Sequence, residues 1–571
     1  MESRVRFAPT PMDPPWPYSA SKVLSRPKRE LSTDDVIKRL RRFSRNGLLK
    51  MGAEILWYAW NHSDVLENGA PGSIGNFITR TYSERLITLA GAFASSHNRA
   101  EPAEVDFRLL CWELHQCSDG PVLGPDVLQE VSSRLVQLPK DSPLRKLDTA
   151  FTHRLMIEAF KARIVAAQFE GRIWDKASLI RPLLIARELA SLGRKAGGDA
   201  YDRAERQFFL TSLEGFFRAA WAIYTKASDG VRIEAASPRG PVIVHDHGRF
   251  RGDSWQFDSE SQEHVGLTED DVRAVTSRLS MPLSKYAERR AALRQMDPAV
   301  RKYDGLADVL VTRPLVDLEL ERLGEDFLLP SPWRFISGMG TFVLHEFVSF
   351  LQAHRATALG GQDAYALRGE AFGNYLRDLL RARPGVHDCD APEMGGLTSR
   401  KPDFLWVGEE YGVMVEAKVF LRPNEDRLLV DATSAVETWR RAAETISQAV
   451  GLLRNSRAVL ERHIRLPEKW VLIVVSNEDL IESTTGFKGV ARAGNLLDGT
   501  GLDALALLSS SEFEDWVVHG SPDELARQAV QAWSNLKPGD LGYDSRVSRQ
   551  SSQRESELPH IAEAWSSLIP A

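Results

Sequence analysis

The residues best suited to chemistry lie in one stretch, KPDFLWVGEEYGVMVEAKVF, running from Lys401 to Phe420. It carries two carboxylates and an amine: Asp403, Glu416 and Lys418. PDFLWV and YGVMVEAKVF read as two β-strands, and side chains along a strand alternate between faces. Met414, Glu416 and Lys418 therefore share one face, while Val413, Val415, Ala417 and Val419 take the other, which reads as packing on a core. A tight hairpin centred on Glu409 and Glu410 sets Asp403 directly opposite Glu416, with Cβ atoms roughly 4.5–5.5 Å apart. Two carboxylates so placed repel, and they need a compensating cation. Lys418 is one candidate and a bound divalent metal is another. Hard oxygen ligands suit Mg²⁺ or Mn²⁺, with water and substrate phosphate completing the shell. Such a metal lowers the pKa of bound water and stabilises charge on a phosphodiester. A neighbouring lysine orients the attacking water and neutralises developing charge. The set suits phosphodiester hydrolysis.

Several elements must position this hairpin. A helix over ALRGEAFGNYLRDLLRA precedes it, followed by a Pro-Gly break and a short strand near Val386. After it come a long helix from about Thr433 to Arg457, a buried strand at KWVLIVVS, and a final strand and helix at DALALL and SEFEDWVVHG. Helix, strands, helix, strand describes a small α/β core.

At Pro402-Asp403 and Glu416-Ala417-Lys418, in their strand-turn-strand setting, the chain resembles the PD-(D/E)XK nuclease superfamily. The resemblance covers roughly Tyr365 to Gly520. It implies a restriction-endonuclease-like α/β core with a central mixed sheet, and hydrolysis of nucleic acid, with DNA the favoured substrate. It implies Asp403 and Glu416 as metal ligands, the Ala417 carbonyl as a further ligand, and Lys418 as the catalytic lysine. An acidic residue on the preceding helix falls at Glu370, although Phe372, Tyr375, Leu376 and Leu379 form that helix's apolar stripe and Glu370 projects roughly opposite. A glutamine that some members carry on the later helix falls at Gln448, off the stripe of Trp439, Ala443, Ile446, Val450 and Leu453.

The remainder of the 571 residues exceeds one ordinary core, so the expected class is a multidomain α+β protein. Residues 1–30, rich in Pro and basic residues, read as a flexible arm. Residues 31–226 read as a helical domain. It opens at Ser32 as N-cap, with Asp34 and Asp35 in the first turn and Val36, Leu40 and Phe43 on the buried face. Further stripes recur in AEVDFRLLCWELHQC, FTHRLMIEAFKARIVAAQFE and RQFFLTSLEGFFRAAWAIY. Trp57, Trp60 and Trp221 read as core. Residues 227–364 form a connector with a small hairpin and a helical stretch over 268–296, broken near Pro282. Residues 521–571 read as a C-terminal helix and polar tail.

The formal net charge is -6, which argues against an all-over basic coat but leaves room for a local basic groove. Lys38, Arg39, Arg41, Arg42 and Arg45 cluster on the first helix, either as a nucleic-acid backbone contact or as a solvated face. Three cysteines without CxxC spacing support neither a disulfide framework nor structural zinc. No apolar run spans a bilayer and no secretory signal appears, so a reducing cytoplasm is expected. His245-Asp246-His247 lacks a local third ligand and reads as a turn, and His345-Glu346 lacks the second histidine of a zinc helix. No Walker-type loop occurs. The helical region would recognise a partner, restrain the nuclease or drive homo-oligomerisation, as in bacterial restriction or phage-defence effectors. The rival reading is a non-catalytic nucleic-acid-binding, assembly or sensor protein that keeps the fold without turnover.

Overall fold

The computed structural model describes residues 31–61, 73–97, 100–115, 117, 175–229, 231–235, 242–246, 248–251, 267–296, 309–311, 313–318, 326–397, 401–419, 432–477, 495–535 and 558–568. The expected arm at 1–30, the stripe at FTHRLMIEAFKARIVAAQFE and residue His247 lie outside them.

Helices dominate the first part: α1 (Thr33–Leu40), α2 (Arg45–Asn61), α3 (Ser73–Phe93), α4 (Glu104–His115), α5 (Asp175–Gly197), α6 (Asp199–Phe209) and α7 (Leu213–Asp229). Ser32 caps α1 through a capping box, its hydroxyl accepting from the Asp35 amide while Asp35 accepts from the Ser32 amide. Val36 and Leu40 are fully buried, and Phe43 packs partly against them. Trp57 is core, and its indole donates to the Leu329 carbonyl at 2.8 Å.

The connector is more ordered than its composition suggests. β1 (Val231–Ala235) and β2 (Val242–Asp246) form the expected antiparallel hairpin. β3 (Arg249–Arg251) leaves it to join a second small sheet. After α8 (Glu269–Leu279) the chain breaks at β4 (Ser280–Pro282), where Pro282 cannot supply a helical donor, and resumes as α9 (Tyr286–Met296). β5 (Leu315–Asp317) and β6 (Asp326–Leu328) complete the sheet in the order β3-β6-β5-β4. Next come α10 (Pro332–Ser337), a π-helical turn over Gly338–Val343, and α11 (Leu344–Ala353).

The hairpin sits in the other sheet. α12 (Ala364–Arg381) leads to β7 (Val386–Asp388), β8 (Phe404–Val407) and β9 (Tyr411–Lys418). Then follow α13 (Ala432–Asn455), β10 (Lys469–Ser476), β11 (Ala504–Ser509), α14 (Ser510–His519) and α15 (Pro522–Asn535). The strand order is β11-β10-β9-β8-β7, with β9, β10 and β11 mutually parallel and β8 antiparallel to both its neighbours. The sheet is therefore mixed. Consecutive residues Tyr411 to Glu416 and Trp470 to Ser476 are all buried, so both faces of the central strands are covered. The core contact expected for Val413 and Val415 therefore extends to the Met414 and Glu416 face as well.

Two further contacts differ from the expected C-terminal helix and tail. α15 packs on β9, β10 and β11, and Asp523 at its start accepts from three hairpin-turn amides: Glu409 at 2.9 Å, Glu410 at 3.0 Å and Tyr411 at 2.8 Å. The last helix, α16 (Pro559–Leu568), is not a tail element. It buries Ile561, Ala564 and Leu568, sets Trp565 edge-on to Trp221, and packs on α5. α5 also runs along α12, tying the helical region to the sheet. Among the described residues no helix is long and apolar enough to cross a membrane, and all three cysteines are buried and free.

Candidate active site

The hairpin brings the chemistry together. β8 and β9 pair with Phe404 opposite Val415 and Val407 opposite Gly412. The same register carried one residue further sets Asp403 opposite Glu416. The Asp403 carboxylate accepts from the Ala417 amide at 2.7 Å, which fixes it against β9. On the other side, the Asp403 carbonyl accepts from the Cys389 amide at 2.9 Å.

Glu416 is only 3% exposed. One of its oxygens, Oε1, accepts from the Lys418 ammonium. The other, Oε2, is buried with no hydrogen-bond partner. An unsatisfied buried carboxylate oxygen costs roughly 1–3 kcal/mol or more, so its persistence calls for an explanation. Lys418 stands at the edge, with 28% of its side chain exposed.

Both carboxyl groups hold their protons more tightly than free ones. Burial raises Asp403, opposed by the Ala417 amide and Lys418. Burial also raises Glu416, and the Asp403 charge adds to the rise, with Lys418 opposing. Both effects disfavour a second negative charge, and both would be reversed by a cation between the two groups.

Glu370 does not join the pair. It lies exposed on α12, and among the described residues no group of three Asp, Glu, His or Cys side chains gathers to hold a metal. Arg377, seven residues on and so on the same helical face, is the part of α12 that reaches this corner. It donates to Asp388 at 2.6 Å, lies over the Phe404 ring, and helps hold the Asp403 charge. Seven residues separate Glu370 from it by about 10 Å of helix.

Lys401 and Asn477 went unread in the sequence, whereas Gln448 was singled out there by family order. Lys401 donates to the Cys389 carbonyl at 2.6 Å and pairs with Asp390 at 3.1 Å, so a second lysine flanks Asp403. Gln448, half-buried on α13, has a side-chain oxygen that is buried without a partner. So does Asn477, one residue beyond Ser476, which pairs with Lys418 across β10 and β9. The adjacency of Lys401 to Pro402 was the one available signal. The burial of the Gln448 and Asn477 oxygens is a property that periodicity does not report.

His245 and Asp246 lie on β2 opposite Arg232 and Val231, in hairpin register. The Asp403 and Glu416 carboxylates, one of which keeps an unpartnered buried oxygen, present the oxygen-donor chemistry that a hard divalent cation takes, with the Lys418 ammonium beside them. Compared with known proteins, the chain matches no family model, no curated protein and no solved structure.

Proposed function

We propose that the chain is a metal-dependent nuclease of the PD-(D/E)XK kind, hydrolysing phosphodiester bonds in nucleic acid, with DNA the favoured substrate. The observation that carries the reading is the pair of opposed, proton-holding carboxylates, one of which keeps a buried oxygen without any partner. The order α12, three strands, α13, β10, with β9 between β8 and β10, supports the restriction-endonuclease-like core. Asp403, Glu416 and the Ala417 carbonyl would hold Mg²⁺ or Mn²⁺. When bound, such an ion supplies Lewis acidity at the phosphate and a more acidic water.

The chain's own groups do the rest. The Ala417 amide holds Asp403 in one orientation, so the carboxylate needs no reorganisation on ligation. Lys418, tethered to Glu416 and partly exposed, orients the attacking water and neutralises charge as it develops on the phosphate. Glu370, exposed on α12, would have to reach along the helix to contribute. The helical region serves to recognise a partner or to restrain the site, as in a bacterial restriction or phage-defence effector; this part is analogy of architecture.

The test is cleavage of plasmid, linear and single-stranded DNA with Mg²⁺ or Mn²⁺. EDTA, Asp403→Asn, Glu416→Gln and Lys418→Met should each lower the rate by at least about 100-fold. Cutting retained in all three variants refutes the site.

A further inference from the structure

Between Arg26 and Arg45 the chain carries eight Lys and Arg residues against three acidic ones, in a protein whose formal net charge is -6. Within the described part, Lys38 lies in the last turn of α1, Arg41 and Arg42 in the turn that follows it, and Arg45 opens α2. On α1 itself Thr33, Val36, Ile37 and Leu40 are buried, which leaves Lys38 on the outer face. Lys38, Arg41 and Arg42 are exposed.

Three details distinguish this rim from an ordinary solvated face. Two of the arginines are held by the end of α3: Arg41 lies over the Phe93 ring at 6.0 Å, and Arg45 donates to the Ala94 carbonyl at 3.1 Å. Holding them reduces the rotamer entropy that a ligand would otherwise have to remove. Two of the nearby acidic residues, Glu113 and Asp35, have partners of their own. Glu113 takes Arg39, and Asp35 is spent on the Ser32 capping box, with Lys38 only at 3.7 Å. Arginine dominates over lysine, and its planar fork matches phosphate oxygens better than a point charge does.

We infer that the rim where α1 turns into α2, bearing Lys38, Arg41, Arg42 and Arg45, is a phosphate-backbone contact surface for duplex nucleic acid, separate from the sheet that carries Asp403 and Glu416. It rests on the nuclease reading for its choice of polyanion. The contact would be independent of base sequence, since phosphates carry none.

The experiment uses the full chain in EDTA, so that binding is measured without turnover. Fluorescence anisotropy with a duplex of about 20 base pairs is read from about 50 to 300 mM KCl. Each neutralised phosphate contributes about 0.9 to the slope of log affinity against log salt, so Lys38→Gln, Arg41→Gln and Arg42→Gln together should lower the slope by about 2.7. Affinity near 0.1 M salt should fall by about tenfold or more, and Mg²⁺-dependent turnover at saturating DNA should stay unchanged. Neutral glutamines keep good helix propensity, and the matching triple of Arg273, Lys285 and Arg457, exposed on other elements, controls for bulk charge.

Unchanged affinity and slope overturn the proposal, as does an equal loss in the control triple. Loss of binding to phosphatidylserine vesicles with DNA binding intact overturns it in favour of a membrane surface. Rim-dependent DNA binding by a chain that cuts nothing leaves the rim standing and removes the nuclease reading. Cutting with unaltered binding removes the rim alone.

Discussion

Glu416→Gln should make the metal-free protein more stable, and the gain can be worked from the site. Burial and the Asp403 charge push the Glu416 carboxyl up from its ordinary 4.5 to about 7. At ~1.36 kcal/mol per pH unit of displacement, ionising it at about pH 8 destabilises the native state by about 3 kcal/mol. The sign follows from the raised value. The favourable contribution of this group is full below 4.5 and is lost as pH rises through about 7. Glutamine keeps the shape and removes the charge; the Lys418 attraction is already contained in that value, and burying the new amide with an incomplete set of partners offsets about 1 kcal/mol. A net gain of about 2 kcal/mol at about pH 8 should raise the melting temperature by several degrees, and by little near pH 4.5. The assay is thermal melting at both pH values, with and without Mn²⁺. Mn²⁺ should raise the wild-type melting temperature at the higher pH and leave the variant unmoved. A variant that melts at or below wild type without metal, or that gains equally from metal, would falsify the account of the site.

Metal affinity should rise by about tenfold per pH unit up to about 7 and then level, because the ion displaces a proton from Glu416; calorimetric Mn²⁺ titration across pH reads this directly. Asp523→Ala should lower stability by about 2 kcal/mol, since three hairpin-turn amides lose a charged acceptor, and hydrogen exchange should speed at Glu409 to Tyr411. Arg181→Met should cost about 3–5 kcal/mol in denaturant unfolding, because it strands the fully buried Glu514 carboxylate that Arg181 otherwise grips at 2.7 Å. Gly385→Ala should destabilise by more than about 1 kcal/mol: its φ is +74°, and a Cβ there would stand 2.3 Å from the Val407 carbonyl oxygen.

The parts of the fold legible in the sequence were those governed by local rules. The hairpin register followed from a period of two and a tight turn, the α1 start from Ser32 and Asp35, and the break at Pro282 from its missing donor. The illegible parts depend on distant partners. β3, β5 and β6 are three residues long and carry no periodic signal, and their sheet joins segments far apart in the chain, with Arg249 and Asp326, 77 residues apart, paired across it. The second covered face of β9 arises from helices elsewhere in the chain, which turned Glu416 from a half-open residue into a buried one. Glu370 was placed by family order, whereas Arg377 occupies the corner because it is the residue at that level of α12.

The Arg181–Glu514 pair has a bearing on how the chain reaches its native state. Glu514 on α14 is held by Arg181 on α5, 333 residues away, and by the Tyr375 hydroxyl on α12 at 2.5 Å; His560 at the start of α16 closes on that hydroxyl at 3.3 Å. Arg218 reaches still further, donating to the Leu568 carbonyl across 350 residues. Contacts of such separation carry a large loop-closure cost and form slowly. The contacts that anchor the sheet bearing Asp403 and Glu416 are therefore complete only once segments distant in sequence have met. A fragment cut at residues 365 and 520 would lack Arg181, Asp523 and His560 together, leaving a stranded carboxylate and an uncapped hairpin turn.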